Sequence, residues 1–473
     1  MGTLLNRRRY MGGKVGIDYS KQYLTFEALE QGKFKFPKAL DYSLDGGSTW
    51  VSLAANTYTP SLEEGDTIMW KGALTPQTTA GGSGIGHFDS TCEYNVSGNL
   101  MSLLYDSNFI GQDTVTANYT FNTLFYRNSV VDASNLVLAK VLSQGCYRSL
   151  FNGCSKLTHA PNISFKSAGD DTFLYSFQGC TSLISVPDIT FESAGSTFGS
   201  TFSGCTSLVT TPKITGLSSA SFGSTFKGCT SLVTISPITI PSILNNSFLS
   251  TFQDCTSLVN VIELPWTVKQ NCYSSMFAGC TSLVKAPNLP STSIIRNCYR
   301  SMFKDCTSLT TPPVIAATNA GGATSPFGNM FEGCTSLTTA PSIPTAGFGN
   351  SAFLAMFKGC TSLKTAPLLP QTTLNTSCYE SMFEGCTSLI TAPVLPATTL
   401  NKSNCYKKMF YGCSSLNYIK AMFTTAPSST YTDDWVDGVA ANGTFVKNSA
   451  ATWENAFSVD EIPTGWTVQT ASE

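Results

Sequence analysis

The chain repeats one short phrase eleven times between residues 143 and 425. The phrase runs Phe, any residue, Gly or Asp, Cys, Thr or Ser, a second residue that is nearly always Ser, and Leu. Consecutive cysteines of the phrase lie 24 to 28 residues apart. A period of this size predicts a solenoid, in which each repeat buries its apolar side chains only against its two neighbours. The cysteine serves below as the anchor of each repeat: Cys154, Cys180, Cys205, Cys229, Cys255, Cys280, Cys306, Cys334, Cys360, Cys386 and Cys413.

The residues before each anchor follow a helical spacing. Seven residues upstream is always Phe or Tyr, three upstream is always Phe, and four upstream is Met in the last six repeats. Residues three and four apart lie on one face of a helix, so this pattern predicts a two-turn helical segment with an inward aromatic and methionine stripe. The Gly or Asp just before the anchor favours the left-handed conformation that ends a helix.

The residues after each anchor predict a short strand. Leu stands three residues past every anchor, and Ile, Leu or Met stands nine past it. A proline seven past the anchor, such as Pro287, occurs in eight repeats and limits strand pairing, because proline has no amide N–H to donate. The position five past the anchor is mostly polar and is expected to line the outer strand face. Its residues are His159, Ser185, Thr210, Thr234, Asn260, Lys285, Thr311, Thr339, Thr365, Thr391 and Tyr418.

The 17 cysteines do not indicate a disulfide framework, since their number is odd and eleven of them mark the repeat period. Five others lie eight residues before an anchor, where other repeats carry Thr, Ser, Pro or Ala. We interpret them as small buried hydrophobic residues with reduced thiols. Zinc is the competing hypothesis, but two histidines and no tight cysteine pair disfavour it. We predict no metal site, no cofactor and no catalytic residue.

The overall charge narrows the classes of partner. Only 12% of the residues are charged and the net charge is -2, so general attraction to nucleic acid is not expected. No apolar run reaches the roughly 18 residues of a membrane span. No signal peptide follows the basic residues Arg7, Arg8 and Arg9. We therefore expect neither membrane insertion nor a nucleic-acid partner.

The chain divides into four segments by composition. Residues 1–17 form a basic N-terminal segment, and residues 18–105 alternate in short runs that predict a small β-sandwich-like domain. Residues 106–425 hold about 12 repeats, the first of which is degenerate at 118–142. Residues 426–473 are aromatic and polar, and they predict a C-terminal module that covers the open end of the last repeat.

One hairpin motif stands out in the N-terminal domain. Ser43, Asp45, Gly47, Thr49 and Trp50 match the Asp-box pattern known from sialidase propellers and other β proteins. In this motif the Asp ties the turn and the Trp packs. A single copy without an arginine cluster is typical of a structural hairpin, so a glycosidase remains only a weak alternative.

The repeat phrase, with its Met-Phe, Gly-Cys-Thr-Ser-Leu and Leu-Pro elements, resembles the BspA-type leucine-rich repeats of surface proteins of Bacteroidales and of proteins of gut-bacterial phages. The resemblance covers residues 118–425. It implies a leucine-rich repeat solenoid of short parallel strands and short helical segments. It also implies adhesion or recognition without catalysis, at a cell surface or outside the cell, or on a virion as a tail fibre.

The leading functional hypothesis is therefore a non-enzymatic recognition protein for a cell-surface glycan or protein. The C-terminal end is the preferred site, because Tyr418, Tyr431, Asp433 and Trp435 combine aromatic stacking with carboxylate hydrogen bonding. A purely structural spacer is the alternative of a different class. The sequence leaves homo-oligomerisation open.

Overall fold

The computed structural model describes residues 17–76, 84–194, 198–217, 221–238, 242–261, 263, 267–344, 346–369 and 371–471. Helices are few: the α-helices within these ranges are α1 (Ser102–Tyr105) and α2 (Ser429–Thr432), beside the 3₁₀ helices Tyr19–Lys21 and Asp106–Asn108. The strands are β1 (Leu24–Ala28), β2 (Phe34–Lys35), β3 (Leu40–Ser43), β4 (Val51–Leu53), β5 (Thr67–Lys71), β6 (Asp89–Ser90), β7 (Tyr94–Asn99), β8 (Thr114–Val115), β9 (Val130–Val137), β10 (Val141–Leu142), β11 (Ser164–Ala168), β12 (Ile189–Ala194), β13 (Ile214–Leu217), β14 (Asn319–Ala323), β15 (Ala346–Phe348), β16 (Tyr418–Ala421), β17 (Thr444–Lys447) and β18 (Thr467–Thr470).

The N-terminal module has a six-stranded sheet and a two-stranded sheet. The larger sheet has the order β4-β3-β5-β1-β7-β9, and the smaller one pairs β2 with β6. An aromatic core fills the space between them: the rings of Phe26 and Phe34 lie 5.2 Å apart and those of Phe26 and Phe88 lie 4.8 Å apart. The alternation of buried and exposed residues along β1 and β5 puts their apolar side chains on this inner face.

The N-terminal sheet continues directly into the solenoid. Its last strand, β9, pairs in parallel with β7 and belongs to the degenerate first repeat. Asp132 of β9 then bridges in parallel to His159 of the next repeat. One hydrophobic core consequently runs from the module into the repeats, since Phe88 stacks at 6.1 Å on Phe125, the first phenylalanine of the repeat column.

The solenoid has the short parallel strands that were predicted, and its turns number about 13 where about 12 repeats were expected. Its longest run of pairing is the parallel order β13-β12-β11-β10-β8. The row five past the anchors forms isolated parallel bridges such as Thr339↔Thr365 and Thr391↔Tyr418. Most of the row is exposed, and Thr234 and Tyr418 are half-buried, so the prediction that this position lines the outer face is confirmed.

The predicted two-turn helical segment is wrong. The residues before each anchor form consecutive turns, and the backbone takes a positive φ at every fourth residue: 54° at Asn297, 53° at Ser301 and 59° at Asp305 in one middle repeat. A right-handed α-helix requires negative φ throughout, so this periodicity excludes it. Apolar residues three and four apart still face inward, because the turns bring them round to the core at a similar interval.

The backbone N–H groups of this turn segment alternate between two kinds of acceptor. In the same repeat, the N–H groups of Tyr299, Ser301 and Phe303 donate to carbonyls of the following repeat at 2.8–3.0 Å. The intervening N–H groups, such as that of Met302, donate to the carbonyl three residues back within the same repeat. Half of the N–H groups therefore join one turn of the solenoid to the next, which replaces the internal hydrogen bonds of a helix.

Two aromatic columns run through the core. The Phe rings three before the anchors stack from Phe125 to Phe410 with centroids 5.1–5.8 Å apart and interplanar angles of at most 20°. The aromatic residues seven before the anchors form a second column, and Tyr379 and Tyr406 lie 5.7 Å apart within it. These side chains are buried, so the columns supply much of the hydrophobic stabilisation.

Every anchor cysteine bonds to the repeat before it. The Sγ atom of Cys306 lies 3.1 Å from the carbonyl oxygen of Phe277, and the same contact occurs at 2.8–3.2 Å in all eleven repeats. All 17 cysteines are buried with free thiols. The anchor is therefore a small core residue whose S–H donates a hydrogen bond to the preceding turn.

We predict that Phe303→Ala lowers the free energy of unfolding by about 3 to 5 kcal/mol, as a large-to-small change in a packed core. Phe303 is fully buried and stacks on Phe277 at 5.8 Å and on Phe331 at 5.7 Å. Chemical denaturation followed by circular dichroism measures the change, with the exposed Thr365→Ala as the control. A loss below about 1 kcal/mol would contradict the buried column.

We also predict that the thiols of the folded protein resist alkylation. Burial raises the pKa of Cys154 and of Cys360 to about 12, so the reactive thiolate is scarce at pH 8. Iodoacetamide followed by mass spectrometry should label no anchor cysteine in the native protein and all 17 cysteines in denaturant without prior reduction. Three or more disulfides in the denatured, unreduced sample would refute the reduced ladder.

Candidate functional site

Tyr418 lies on the strand face, as predicted. It begins β16, bridges in parallel to Thr391 and pairs with Thr444 of β17. Its side chain is half-buried. The phenol therefore stands at the C-terminal end of the outward row of the solenoid.

Tyr431 lies in α2, and Asp433 directly follows this helix, after the last cysteine repeat. The main-chain carbonyls of Tyr431 and Asp433 accept hydrogen bonds from the N–H groups of Tyr406 and Lys408, at 2.9 and 2.8 Å. The Asp433 carboxylate pairs with Nζ of Lys407 at 2.9 Å. Among the described residues, no hydrogen bond or ring contact joins Tyr418 to either of them, so the structure does not bring these side chains into one direct constellation.

Trp435 does not offer its ring to a ligand, which corrects its assignment as a stacking residue. Its side chain is fully buried and its indole N–H donates to the carbonyl of Glu461 at 2.8 Å. The ring lies 6.4 Å from Tyr406 and 6.1 Å from Phe410, the last residues of the two aromatic columns. Trp435 thus covers both columns and closes the core.

The closing module is one further turn of the solenoid. Gly438 has a positive φ of 73°, like the Gly or Asp before each anchor, and β17 and β18 extend the strand ladder. A Cβ on Gly438 would lie 3.3 Å from the Cα atom of Gly412, so the turns approach closely here as well. The sequence shows no cysteine at this anchor, where Val439 stands instead. For that reason the repeat phrase alone did not reveal the turn.

An acidic cluster that the sequence analysis missed caps this end. Asp433, Asp434 and Asp460 each place a carboxylate oxygen within 4.8 Å of the others. Asp434 approaches Lys408 at 3.9 Å, and its backbone N–H donates to Oδ1 of Asp460 at 2.7 Å. Asp433 and Asp434 pair with lysines, and Asp460 caps the backbone N–H of Asp434. These structural roles account for the cluster. Its signal in the sequence was the acidic composition of the segment, without any spacing that marks a cap.

The Asp-box residues form the hairpin that the motif predicts. They connect β3 to the antiparallel β4. The Asp45 carboxylate accepts from the Thr49 N–H at 2.8 Å, and these hydrogen bonds lower the pKa of Asp45 to about 2. The Trp50 indole N–H donates to the carbonyl of Gly47 at 3.1 Å, and its ring packs 4.7 Å from Tyr23. The motif stabilises a turn here.

The structure as a whole defines a leucine-rich repeat solenoid. A family model described as "BspA type Leucine rich repeat region" matches in 6 copies over residues 144–258, 224–356 and 329–432. The chain belongs to the BspA-type leucine-rich repeat family, which is associated with surface proteins. None of the helices in the described part of the chain has the length and apolar character to cross a membrane.

Solved structures were also compared with this chain. The crystal structure of a leucine-rich repeat protein from Bacteroides ovatus is similar at 17% identity and a TM-score of 0.36, over 85% of this chain and 99% of that chain. No curated protein matches the chain by sequence.

We predict that Asp460→Ala destabilises the C-terminal turn by about 1 kcal/mol, the usual effect of removing a side chain that caps an exposed backbone N–H. Hydrogen exchange should quicken at Asp434 while the middle repeats keep their protection. The exposed Glu454→Ala in the same module serves as the control. Unchanged exchange at Asp434 would contradict the capping role of Asp460.

Proposed function

We propose that this protein is a non-enzymatic recognition protein that binds a cell-surface glycan or protein through the strand face of its solenoid. Membership of a repeat family associated with surface proteins supports this function. The cysteines and the core aromatic residues of the repeats are buried and cannot contact a partner. Binding must therefore use the outward-facing side chains.

The observation that carries the proposal is an exposed apolar stripe beside the polar row. Five consecutive repeats place Ile or Val four residues past the anchor, one position before the polar row, and each of these residues is 36–51% exposed. Stacked repeats bring these residues into one line, and contiguous exposed apolar surface is typical of interaction sites. The stripe consists of Ile184, Val209, Val233, Val259 and Val284.

The C-terminal end is a second contact region in this proposal. Tyr418 and Tyr431 are half-buried, so part of each phenol ring is available for stacking. Asp433 retains hydrogen-bonding capacity beside Lys407, since a carboxylate accepts several hydrogen bonds. Trp435 supports this region from inside the core.

The proposed setting is a cell surface, the extracellular space or a virion, where a tail fibre of a gut-bacterial phage would have the same need for a long binding surface. The repeat design suits all of these settings, because a solenoid presents an extended surface without a large globular core. Homo-oligomers are compatible with such a role.

A spacer is the alternative function, and a specific observation favours it. The polar row is mostly threonine, which is common on exposed strands whether or not they bind anything. A spacer would hold another unit away from a surface, and its strand face would tolerate substitution.

Binding of the purified chain to intestinal epithelial and Bacteroides cells, and to a glycan array, tests the proposal. Val209→Ser with Val233→Ser and Val259→Ser should weaken binding at least tenfold, because it removes the middle of the apolar stripe. Val314→Ser with Leu368→Ser is the matched control, since these exposed apolar residues lie outside the stripe.

The C-terminal contribution is tested with Tyr418→Ala plus Tyr431→Ala, compared with the exposed Tyr411→Ala. The double variant should bind more weakly than the parent, whereas Tyr411→Ala should bind as the parent does. If the stripe variant and the tyrosine variant are both folded and bind as the parent does, the spacer function replaces recognition.

A further inference from the structure

The outer face of the N-terminal sheet carries two rows of side chains in register across four strands. Thr67, Glu27, Asn95 and Asp132 pair in sequence from β5 through β1 and β7 to β9. Neighbouring strands lie ~4.8 Å apart, so this row spans about 14 Å. All four side chains point away from the aromatic core, because each one is followed or preceded in its strand by a buried residue, namely Ile68, Phe26, Val96 and Ala133.

The second row lies two residues along β5, β1 and β7, and three along β9, where the register with β7 shifts. Met69, Thr25, Ser97 and Asn135 pair across β5, β1, β7 and β9. The two rows are about 7 Å apart along the strands. Together they form a platform of hydroxyl, amide and carboxylate groups with one thioether at its edge, which we call the N-terminal platform.

Hydrogen bonds hold the acidic groups of the platform in place. The Asn95 side-chain amide donates to Oε2 of Glu27 at 3.2 Å, and Oδ1 of Asp132 accepts from the backbone N–H of Ser134 at 2.7 Å. Asp132 approaches His159 at 3.8 Å. Among the described residues, neither carboxylate is ion-paired with a lysine or arginine, so both keep acceptor capacity for a ligand.

The platform is the floor of a cavity and not a flat surface. Ile17, Tyr19 and Gln22 rise beside the two rows and enclose a cavity of about 530 Å³. A second cavity of about 390 Å³ shares Tyr19 and Asn135 with the first and continues along β9 toward Asn162 of the solenoid. Each volume falls in the range of roughly 300 to 1,000 Å³ that is usual for small-molecule sites.

We propose that these joined cavities bind a short neutral oligosaccharide. Sugar hydroxyls both donate and accept, which matches a floor of amides, hydroxyls and fixed carboxylates. Tyr19, at the junction of the two cavities, gives one aromatic surface for the C–H face of a sugar ring. The joined cavities are lined by two carboxylates, Glu27 and Asp132, and by one cation, Lys140, so their net charge is negative and neutral saccharides are preferred to sialylated ones.

This inference rests on the proposed recognition function but names a different site from the strand face and the C-terminal end. Saturation-transfer NMR and calorimetry with cellotriose, maltotriose, chitotriose, lactose and 3′-sialyllactose test it on the full chain. At least one neutral sugar should bind. Sialyllactose should bind at least tenfold more weakly than lactose, and Glu27→Gln should narrow that difference.

Asn135→Leu is the decisive variant, because Asn135 lines both cavities and is exposed on β9. It should weaken binding of the neutral sugar at least tenfold, whereas Asn401→Leu, at an exposed asparagine of the solenoid outside the polar row, should have no effect. Tyr19→Ala should also weaken binding, with the exposed Tyr105→Ala as its control. If Asn135→Leu and Tyr19→Ala both bind the sugar as tightly as the parent does, the proposal is wrong.

The two proposals fail in distinguishable ways. If the chain binds cells but none of the five sugars, the recognition function stands and the proposed sugar site in the joined cavities is wrong. If a neutral sugar binds and Asn135→Leu abolishes this binding, while the chain binds no cell and no glycan array, the sugar site stands and the proposed function is wrong.

Discussion

The structure depends on one directional constraint: the backbone hydrogen bonds between the turn segments of the solenoid all point the same way. Each donor lies in the earlier repeat and each acceptor in the later one, as for Phe277 to Met302 and Phe303 to Met330. In the strand segments the direction alternates, as in any parallel ladder. The turn segments therefore align their peptide dipoles along the axis of the stack, as a helix aligns them along its own axis. Unpaired carbonyls collect at the N-terminal end and unpaired N–H groups at the C-terminal end.

Both ends carry a cap of the matching kind. The N–H groups of Ile85 and Phe88 in the N-terminal module donate to the carbonyls of Thr120 and Leu124, each at 2.9 Å. At the other end, Oδ1 of Asp460 accepts from Asp434, and the carbonyl of Val459 accepts from Val436 at 3.2 Å. The flanking modules thus satisfy the backbone of the first and last turns and also cover the aromatic columns. Their differing compositions follow from this task, since one end needs donors and the other needs acceptors.

The sequence predicted the solenoid, the buried columns and the outward row, because these follow directly from which positions are apolar in every repeat. It did not predict the turn segment, because apolar spacings of three and four are shared by a helix and by this run of turns. The distinguishing signal was the recurrence of Asn, Ser or Gly every fourth residue, as at Asn271, Ser275 and Gly279. Trp435 was misassigned because an aromatic beside two aspartates resembles a binding surface, and only its place in the thirteenth turn shows it to be core.

The contacts between neighbouring repeats are the same along the solenoid, and this affects how the chain can evolve. The backbone N–H groups of each turn segment donate to the repeat after it, and each anchor cysteine donates to the repeat before it, so every turn meets its neighbours through the same contacts. Gain or loss of a whole repeat by recombination leaves both end caps and every remaining joint intact. Each repeat gained or lost then changes the distance between the N-terminal module and the C-terminal end by one strand spacing, ~4.8 Å. The length of the solenoid can therefore change without a new fold.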